Sequence, residues 1–363
     1  MSIWKYAADL PAVPPESRIT LGEGQTPLVR SRNLGPALGL DGLYFKLENC
    51  NPTGSYKDRF AAMAVSDMLA RGAKLCLATS SGNTGSALSA ACAVAGIECY
   101  IAVVDGAPLN KLRNMQVYGA KIYSVREFGI DPTISADVMY RLRRLCEERG
   151  AALQISNYLL CPAGMAGCET IAYELAEELD GRVDHVFTQS GAGGMTLAVA
   201  RGFSRLVERG DIARSAAVHS VQPEGNNTIA GPLREGRNEA QEVRCTTKVS
   251  GLQVPNVLDG NEVIAACREC GGNGHLVTDD DVYRAQARLA REEGIFSEPA
   301  GAVAAAGVIR AAEQGEITAG QTIVCTVTGI GFKDEPSLLK MVEGQEYPTL
   351  ATPGDIDSFL PGG

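Results

Sequence analysis

Short apolar segments alternate with helical segments in the first half of this 363-residue chain, and this alternation limits the fold more than any other feature. The pattern predicts strands over 75–78, 99–104, 120–125 and 152–155, with helices between them, the first over 84–95. Parallel strands joined by helices need crossovers on the faces of a sheet. We therefore predict a doubly wound, mostly parallel α/β sheet.

A second group of alternating segments follows further along the chain. Strands are predicted over 183–188, 216–221 and 322–327, and helices over 165–179 and 195–209. The length suits two lobes. We predict a small domain over 58–155 and a larger, discontinuous cofactor-binding domain over 1–57 and 156–346. Residues 347–363 are rich in proline and glycine, so we expect an irregular tail there.

Composition excludes several classes of protein. Hydrophobic residues make up 45% of the chain, as in a globular protein, and no apolar stretch reaches the length of a membrane span or a signal peptide. A net charge of -10 argues against nucleic-acid binding, which relies on clustered Lys and Arg. The eleven cysteines are scattered, which indicates reduced thiols. We expect a cytoplasmic location.

The histidines and one cysteine pair are candidate metal ligands or catalysts. Cys267 and Cys270 lie near His275, but no second close pair completes a zinc site, so we predict no metal. His185 and His219, like His275, lie outside the polar loops described below. We expect all three to be packed or surface residues.

One lysine stands at the start of a predicted helix. Leu43–Glu48 has the pattern of a short strand, Asn51–Gly54 is dense in turn formers, and a helix follows. Ser55 is a natural N-cap, and Asp58 completes a pair of the capping-box kind, which puts Lys57 in the first helical turn. A helix N-terminus lowers the pKa of an amine and favours its use as a nucleophile. The alternative is a solvated lysine in an ordinary loop.

Two other strand-to-helix loops carry candidate binding groups. Residues 79–85 offer hydroxyls, an amide and backbone donors, which suits a carboxylate; the alternative is simple N-capping. Residues 190–194 are almost bare of side chains, which lets a phosphate approach the backbone. Thr196 stands where a dinucleotide fingerprint needs glycine, and no Gly-Lys-Ser/Thr of a P-loop follows.

Several motifs together resemble those of a known family over nearly the whole chain. The family is that of the fold-type II pyridoxal-phosphate enzymes, which share a two-lobed fold like that of tryptophan synthase β, and the resemblance is greatest to threonine synthases. The matching segments are Gly22–Leu28, Asn51–Arg59, Ser81–Thr84, Gly191–Gly194, Gly294–Ala300 and Val327–Asp334.

The resemblance implies pyridoxal 5'-phosphate as cofactor and a role for each motif. Lys57 would be the Schiff-base lysine and general base. Asn83 would contact the cofactor's 3-hydroxyl and Thr328 its pyridine nitrogen. The phosphate cup would consist of Gly191, Ala192, Gly193, Gly194 and the amide of Met195, and the substrate carboxylate would bind Ser80, Ser81 and Thr84.

The implied activity, and the leading prediction, is that of a threonine-synthase-like lyase, an elimination or replacement on an amino acid, by an enzyme that we expect to be a homodimer. A threonine at the pyridine nitrogen leaves the ring a weaker electron sink, which favours this chemistry over transamination. Gly164 stands where threonine synthases carry an arginine for the substrate phosphate, and Phe60 replaces a small residue. The missing arginine favours the alternative of an ammonia-lyase for hydroxy amino acids or a β-replacement synthase for serine derivatives, and Phe60 indicates a reshaped pocket. A noncatalytic cofactor-binding protein ranks below these because the motifs are intact.

Overall fold

A computed structural model describes residues 2–105, 107 and 109–359, and these residues contain ten strands. The strands are β1 Leu28–Arg30, β2 Leu43–Lys46, β3 Leu75–Thr79, β4 Glu98–Val103, β5 Lys121–Ser124, β6 Ala152–Gln154, β7 His185–Gln189, β8 Ala217–Pro223, β9 Gly274–Val277 and β10 Ile323–Thr326. They form one sheet of six strands and one of four.

Helices connect most of these strands. They are α1 Leu34–Ala37, α2 Lys57–Ala70, α3 Asn83–Ala95, α4 Leu109–Val117, α5 Pro132–Arg149, α6 Pro162–Ala166, α7 Thr170–Glu178, α8 Gly194–Glu208, α9 Ala230–Arg234, α10 Gly260–Glu269, α11 Asp279–Glu293, α12 Pro299–Glu313, α13 Glu335–Met341 and α14 Asp355–Phe359. In the part of the chain that is described, no helix combines the length and apolar character needed to cross a bilayer.

The four-stranded sheet has the order β5-β4-β3-β6, and all its strands run parallel. Alternate residues of β3 face opposite layers, as the period of a strand requires. Cys76 and Ala78 pack with α2 and α3, whereas Leu77 packs with α5. Helices therefore cover both faces, and the predicted doubly wound α/β sheet is confirmed.

The six-stranded sheet has the order β1-β2-β10-β7-β8-β9 and takes strands from both sides of the smaller sheet in the sequence. Only β1 is antiparallel to its neighbour, so the sheet is mostly parallel, as predicted. Helices α11 and α12 cover one face, and α7 and α8 cover the other. The strands of the smaller sheet all lie within 58–155 and those of the larger sheet outside it, whereas the division into two domains with these bounds stays a prediction.

Three details differ from the sequence analysis. The helix predicted over 165–179 is interrupted by a 3-10 turn at Gly167–Glu169, where Gly167 lies so near α2 that a Cβ would be 2.3 Å from the carbonyl oxygen of Arg59. Strands β1 and β9 were not predicted. In the predicted irregular tail, α14 forms a short helix, and 360–363 lie outside the described residues.

Candidate active site

Three strand-to-helix junctions open on one cavity of about 600 Å³. They are the junctions that begin α2, α3 and α8, and the loop after β10 completes the wall. All the site residues predicted from the sequence line this cavity: Lys57, Ser80, Ser81, Asn83, Thr84, Gly191, Ala192, Gly193, Gly194, Met195 and Thr328. Carboxyl ends of parallel strands meet at the same edge of a sheet, which explains why motifs far apart in sequence converge.

Lys57 is the first residue of α2, and its amine lies inside the cavity. Its Nζ donates a hydrogen bond of 2.7 Å to Ser156 Oγ, and a hydroxyl contact of 2.9 Å links Ser156 to Thr84. The amine also lies 4.4 Å from the ring centroid of Tyr56. Burial lowers the pKa of Lys57 to about 8. The predicted direction of this shift is therefore correct, but its main cause is desolvation.

The predicted capping of α2 is wrong. Tyr56, and not Ser55, occupies the N-cap position, with no side-chain hydrogen bond. Ser55 instead pairs through its backbone with Gly329 as an isolated bridge, which commits it to extended structure. Asp58 accepts hydrogen bonds from the backbone nitrogen and hydroxyl of Thr53, at 2.8 and 2.7 Å, so it orders the preceding turn. Burial raises the pKa of Asp58 to about 6.

The loop between β3 and α3 divides its hydroxyls between two uses. Ser80 Oγ accepts hydrogen bonds from the backbone nitrogens of Gly82 and Gly85, at 3.2 and 3.0 Å. Ser80 thus caps the first turn of α3, as the N-capping alternative requires. Ser81 and Thr84 face the cavity. The α3 N-terminus therefore presents hydroxyls beside backbone donors, an arrangement that can bind a carboxylate.

Asn83 is held by two charged side chains. Its Oδ1 accepts a hydrogen bond of 2.8 Å from Lys333 Nζ, and its Nδ2 donates one of 2.6 Å to Glu298 Oε1. Both partners belong to segments that resemble the family, but the sequence analysis gave them no role. They lie far from Asn83 in the sequence, so no local pattern reveals the contact.

The glycine loop before α8 is a cradle that side chains would fill. Gly193 has a φ of +88°, and a Cβ there would lie 2.5 Å from Val263 Cγ2. A Cβ on Gly194 would lie 2.9 Å from Met165 Cε. Buried hydroxyl groups next to the loop form hydrogen bonds with one another. One of these joins Thr196 and Ser190 at 2.7 Å. The loop is thus closely packed on its protein side, and its backbone donors at the N-terminus of α8 can face an anion in the cavity.

Thr328 forms the opposite wall, just beyond β10. Its hydroxyl accepts a hydrogen bond from Gln189 Nε2, and Gln189 Oε1 accepts one of 3.0 Å from Thr326. Its carbonyl oxygen accepts a hydrogen bond of 3.2 Å from the backbone nitrogen of Tyr56, which places Lys57 close by. Gln189 escaped the sequence analysis because it is a strand residue outside every motif.

A buried ion-pair cluster explains other residues of the lysine motif. Arg59 pairs with Glu48 at 2.7 Å and with Glu174 at 2.5 Å, and Lys46 pairs with Glu174 at 2.8 Å. Burial alone would raise the pKa of Glu174, but Arg59 and Lys46 outweigh it and hold that pKa at about 2. Gln25 joins the cluster because its backbone nitrogen donates to Glu174 at 2.8 Å. The cluster ties the first two sequence motifs together behind the site.

The three histidines pack in the larger sheet, away from the cavity. His219 lies 3.0 Å from His185 and 3.1 Å from His275, nitrogen to nitrogen, and its ring stacks on Phe187. Burial lowers the pKa of all three, most strongly for His219, which favours their neutral forms. This agrees with the prediction that they are packed residues.

Cysteines lie near one another in two places. Cys270 Sγ donates to the carbonyl oxygen of Cys267 at 3.3 Å, with no metal-like grouping around them among the described residues. In the core of the smaller sheet, the sulfur atoms of Cys76, Cys92 and Cys99 lie within 4.8 Å of one another. Apolar side chains of the core surround them, and Ser89 is a polar neighbour of Cys99.

Sequence comparisons place relatives along most of the chain. A family model described as "Pyridoxal-phosphate dependent enzyme" matches residues 19–329. A threonine synthase of Methanosarcina acetivorans is 32% identical over 345 residues, which cover 94% of this chain and 82% of that protein. A threonine synthase of Halalkalibacterium halodurans is 30% identical, and the match covers 99% of this chain and 98% of that protein.

Solved structures share the fold. The processed form of threonine deaminase isoform 2 from Solanum lycopersicum has a TM-score of 0.74 at 23% identity, over 95% of this chain and 94% of that one. Serine racemase from Dictyostelium discoideum has a TM-score of 0.69 at 26% identity, over 84% of this chain and 92% of that one. At these identities the structural likeness shows the fold alone.

Proposed function

This chain belongs to the pyridoxal-phosphate dependent enzymes, and we propose that Lys57 holds the cofactor covalently and moves the protons of the reaction. The family and the threonine synthase relatives make it a lyase that carries out elimination or replacement on an amino acid. The observation that carries the assignment to Lys57 is its amine, which lies inside the cavity with a pKa lowered to about 8.

The residues around the cavity fit the cofactor. The cradle at Gly193 and Gly194 has no room for side chains, so its backbone donors can hold a phosphate at the N-terminus of α8. Asn83 and Thr328 offer the polar groups that a substituted pyridine ring requires. When bound, pyridoxal phosphate supplies an aldehyde that an amine can hold and a ring that withdraws electrons from the substrate.

Lys57 is suited to proton transfer. With a pKa of about 8, roughly a tenth of its amines are neutral at pH 7, compared with fewer than about one in a thousand for an ordinary lysine. Ser156 accepts the hydrogen bond of Nζ and fixes its direction. Lys57 Nζ can therefore take a proton from the substrate's α-carbon and return one to the product.

Thr328 sets the electronic character of the site. Because Gln189 donates to the Thr328 oxygen, the hydroxyl hydrogen of Thr328 is left to donate to an acceptor. That acceptor would be a ring nitrogen without a proton. Such a nitrogen withdraws electrons less strongly than a protonated one, which favours elimination and replacement over transamination.

The substrate's carboxylate would bind at the start of α3. Ser81 and Thr84 provide hydroxyls there, and the first turn of the helix provides backbone donors. Ser80 supports this site indirectly because its hydroxyl already caps the turn. The amino acid would thus lie between the helix and Lys57.

One observation favours a substrate without a side-chain phosphate. Gly164 does not line the cavity, and a Cβ there would lie 2.7 Å from Phe60 Cε2 and 2.9 Å from Ala64 Cβ. An arginine at this position would point into the core. Among the side chains that the structure describes, the basic ones lining the cavity are Lys57 and Lys333, and both already donate to neighbours.

The second candidate function follows from this packing. An ammonia-lyase for a hydroxy amino acid, or a β-replacement synthase for a serine derivative, needs no phosphate clamp. The threonine-synthase-like reading predicts phosphate and threonine as products of O-phosphohomoserine. We expect that compound to be a poor substrate compared with serine, threonine or an O-acylated serine.

Product analysis of the purified holoenzyme tests these readings. Each amino acid is supplied in turn, and free phosphate, ammonia with keto acid, and new amino acids are measured. Efficient release of threonine and phosphate from O-phosphohomoserine would contradict our substrate assignment. Borohydride reduction followed by peptide mapping tests the lysine separately: label on Lys57 is expected, and label on another lysine would refute its role.

Assembly and location complete the proposal. We propose a homodimer in the cytoplasm that binds no nucleic acid; the net charge of -10 supports the last point. Light scattering of the holoenzyme at several concentrations measures the assembly, and a monomer throughout would rule out the dimer.

A further inference from the structure

We propose that Lys333 is a positioning residue that, together with Glu298, fixes which way the Asn83 amide faces the cofactor. This proposal rests on the proposed function, in which Asn83 contacts the cofactor ring. It concerns the reason for that contact: an asparagine side chain can turn over and exchange its oxygen for its nitrogen, and only one of the two orientations is useful.

The hydrogen bonds of the Asn83 amide permit one orientation. Lys333 Nζ, which can only donate, lies 2.8 Å from Oδ1, and Glu298 Oε1, which can only accept when ionised, lies 2.6 Å from Nδ2. Turning the amide over would set Nδ2 against an ammonium and Oδ1 against a carboxylate. Both contacts would become repulsive, so the two charges specify the orientation more strongly than neutral partners would.

The fixed orientation leaves one useful donor. An amide nitrogen carries two hydrogens, and Glu298 takes one of them. The other is left for the cavity, which Asn83 lines. A ring oxygen of the cofactor is an acceptor for this hydrogen. With the amide reversed, Oδ1 would face that oxygen, and the contact would be lost.

The two charged partners are themselves held in a fixed relation. The backbone nitrogen of Glu298 donates to the carbonyl oxygen of Gly329 at 3.0 Å, and Ser297 pairs with Ile330 as an isolated bridge. A Cβ on Gly329 would lie 2.0 Å from Glu298 Oε1, so a side chain there would displace the carboxylate that holds Asn83. The segment that carries Lys333 is thereby held against Glu298, the N-cap residue of α12.

The hydrogen bonds of Asn83 also join the two sheets. Asn83 begins α3, which packs on the smaller sheet, whereas Glu298 and Lys333 lie on loops of the larger one. Fixing the amide therefore fixes the start of α3 relative to Thr328 and the glycine cradle. A change at Lys333 should be felt in how tightly the cofactor is held.

Lys333 has a competing role that the experiment must separate. Because it lines the cavity, it could bind an anionic group of the substrate directly. In that case Lys333→Met would raise KM for an anionic substrate and leave cofactor binding unchanged. A positioning residue acts on cofactor binding through Asn83.

A double-mutant cycle on cofactor affinity distinguishes the two roles. Wild type, Asn83→Ala, Lys333→Met and the double variant are stripped of cofactor, and the dissociation constant of pyridoxal phosphate and the visible absorbance maximum are measured. We expect Lys333→Met to weaken binding about tenfold, the loss of one charged hydrogen bond. The double variant should be no weaker than Asn83→Ala alone, because Lys333 acts through the asparagine.

Further variants guard the interpretation. Lys333→Arg keeps a donor and should restore most of the affinity, whereas Lys333→Gln, which can donate or accept, should not. Lys340→Met, at an exposed lysine of α13, should bind like wild type. Additive losses in the cycle, or unchanged cofactor affinity in both Lys333→Met and Lys333→Gln, would overturn the proposal. Neither result depends on which lysine borohydride labels, so failure here is separable from failure of the Lys57 assignment.

Discussion

The junction after β3 and the junction after β7 both aim a helix N-terminus at the cavity, yet the first presents side chains and the second presents backbone. At the first, a Cβ on Gly82 would meet nothing within 4 Å. At the second, a Cβ on Gly193 would meet Val263 at 2.5 Å. The backbone junction is thus closed to change, while the side-chain junction can be altered one group at a time. This difference suggests that binding of the cofactor phosphate and choice of substrate are separable in this fold.

The largest expected effect tests the closed junction. Gly193→Asp places a side chain where φ is +88°, adds a clash with Val263 and brings a negative charge to a phosphate site. Left-handed strain and overpacking together cost about 2–5 kcal/mol, so cofactor affinity should fall on the order of 100-fold. The measurement is the cofactor retained after dialysis.

Gly82→Ala is the matched control at the open junction. Its added methyl group would meet no protein atom within 4 Å, and Gly82 belongs to the junction after β3 and not to the glycine cradle, so retention of the cofactor phosphate should stay close to that of wild type. Equal losses in the two variants would break the comparison, because they would show that both junctions serve the cofactor phosphate.

The second prediction concerns pH. Burial disfavours the charged form of Lys57 and lowers its pKa from 10.5 to about 8, so the neutral amine increases as pH rises towards 8. The rate at which stripped protein recovers covalently bound cofactor should rise roughly 50-fold from pH 6 to 8 and then level off. Stopped-flow absorbance measures it. A rate that continues to rise through pH 10 would mean that Lys57 behaves as an ordinary lysine.

The third prediction concerns the hydrogen bond that links the Lys57 amine, through Ser156, to Thr84 in the junction after β3. Ser156→Ala removes the hydroxyl that accepts the Lys57 hydrogen bond and touches Thr84. Loss of one such bond should lower kcat about tenfold, with little change in cofactor retention. Ser156→Thr keeps the hydroxyl and should retain more activity. Should Ser156→Ala instead release the cofactor, the two junctions would not be separable.

The smallest effect compares one serine from each junction. Ser81→Ala should raise KM for the amino acid about threefold to tenfold and leave cofactor affinity unchanged, because it removes a hydroxyl near the substrate carboxylate. Ser190→Ala removes a buried partner of Thr196 below the cradle, so cofactor affinity should change and KM should not. Steady-state kinetics and equilibrium dialysis measure the two quantities. A change of cofactor affinity in Ser81→Ala together with a change of KM in Ser190→Ala would contradict the roles given to the two junctions.

Local pattern was enough to predict most of the fold. The strands of the smaller sheet were found to within about two residues, since alternating apolar residues and intervening helices are local signals. Strand β1 escaped because it has only three residues, and β9 because it begins with Gly274 and His275, which do not form a strand pattern. The interruption at Gly167 arises from contact with Arg59, which no local window contains.

The site divides in the same way. Residues inside contiguous motifs, such as Lys57 and Thr328, were predicted and line the cavity. Their partners were missed because the contacts join distant positions: Ser156 lies 99 residues from Lys57, and Gln189 lies 139 from Thr328. Hydrogen bonds of this kind depend on the tertiary fold, so the sequence predicts which groups act but not what holds them.

The pairing of β2 with β10, and of the Tyr56 nitrogen with the Thr328 oxygen, has a consequence for biosynthesis. A ribosome delivers Lys57 early and Thr328 near the completion of the last strand. At roughly 5–20 residues per second, the nascent chain carries its reactive amine for on the order of ten seconds or more before the opposite wall exists. Cofactor capture is therefore a late event, and a chain arrested before β10 should be unable to retain pyridoxal phosphate.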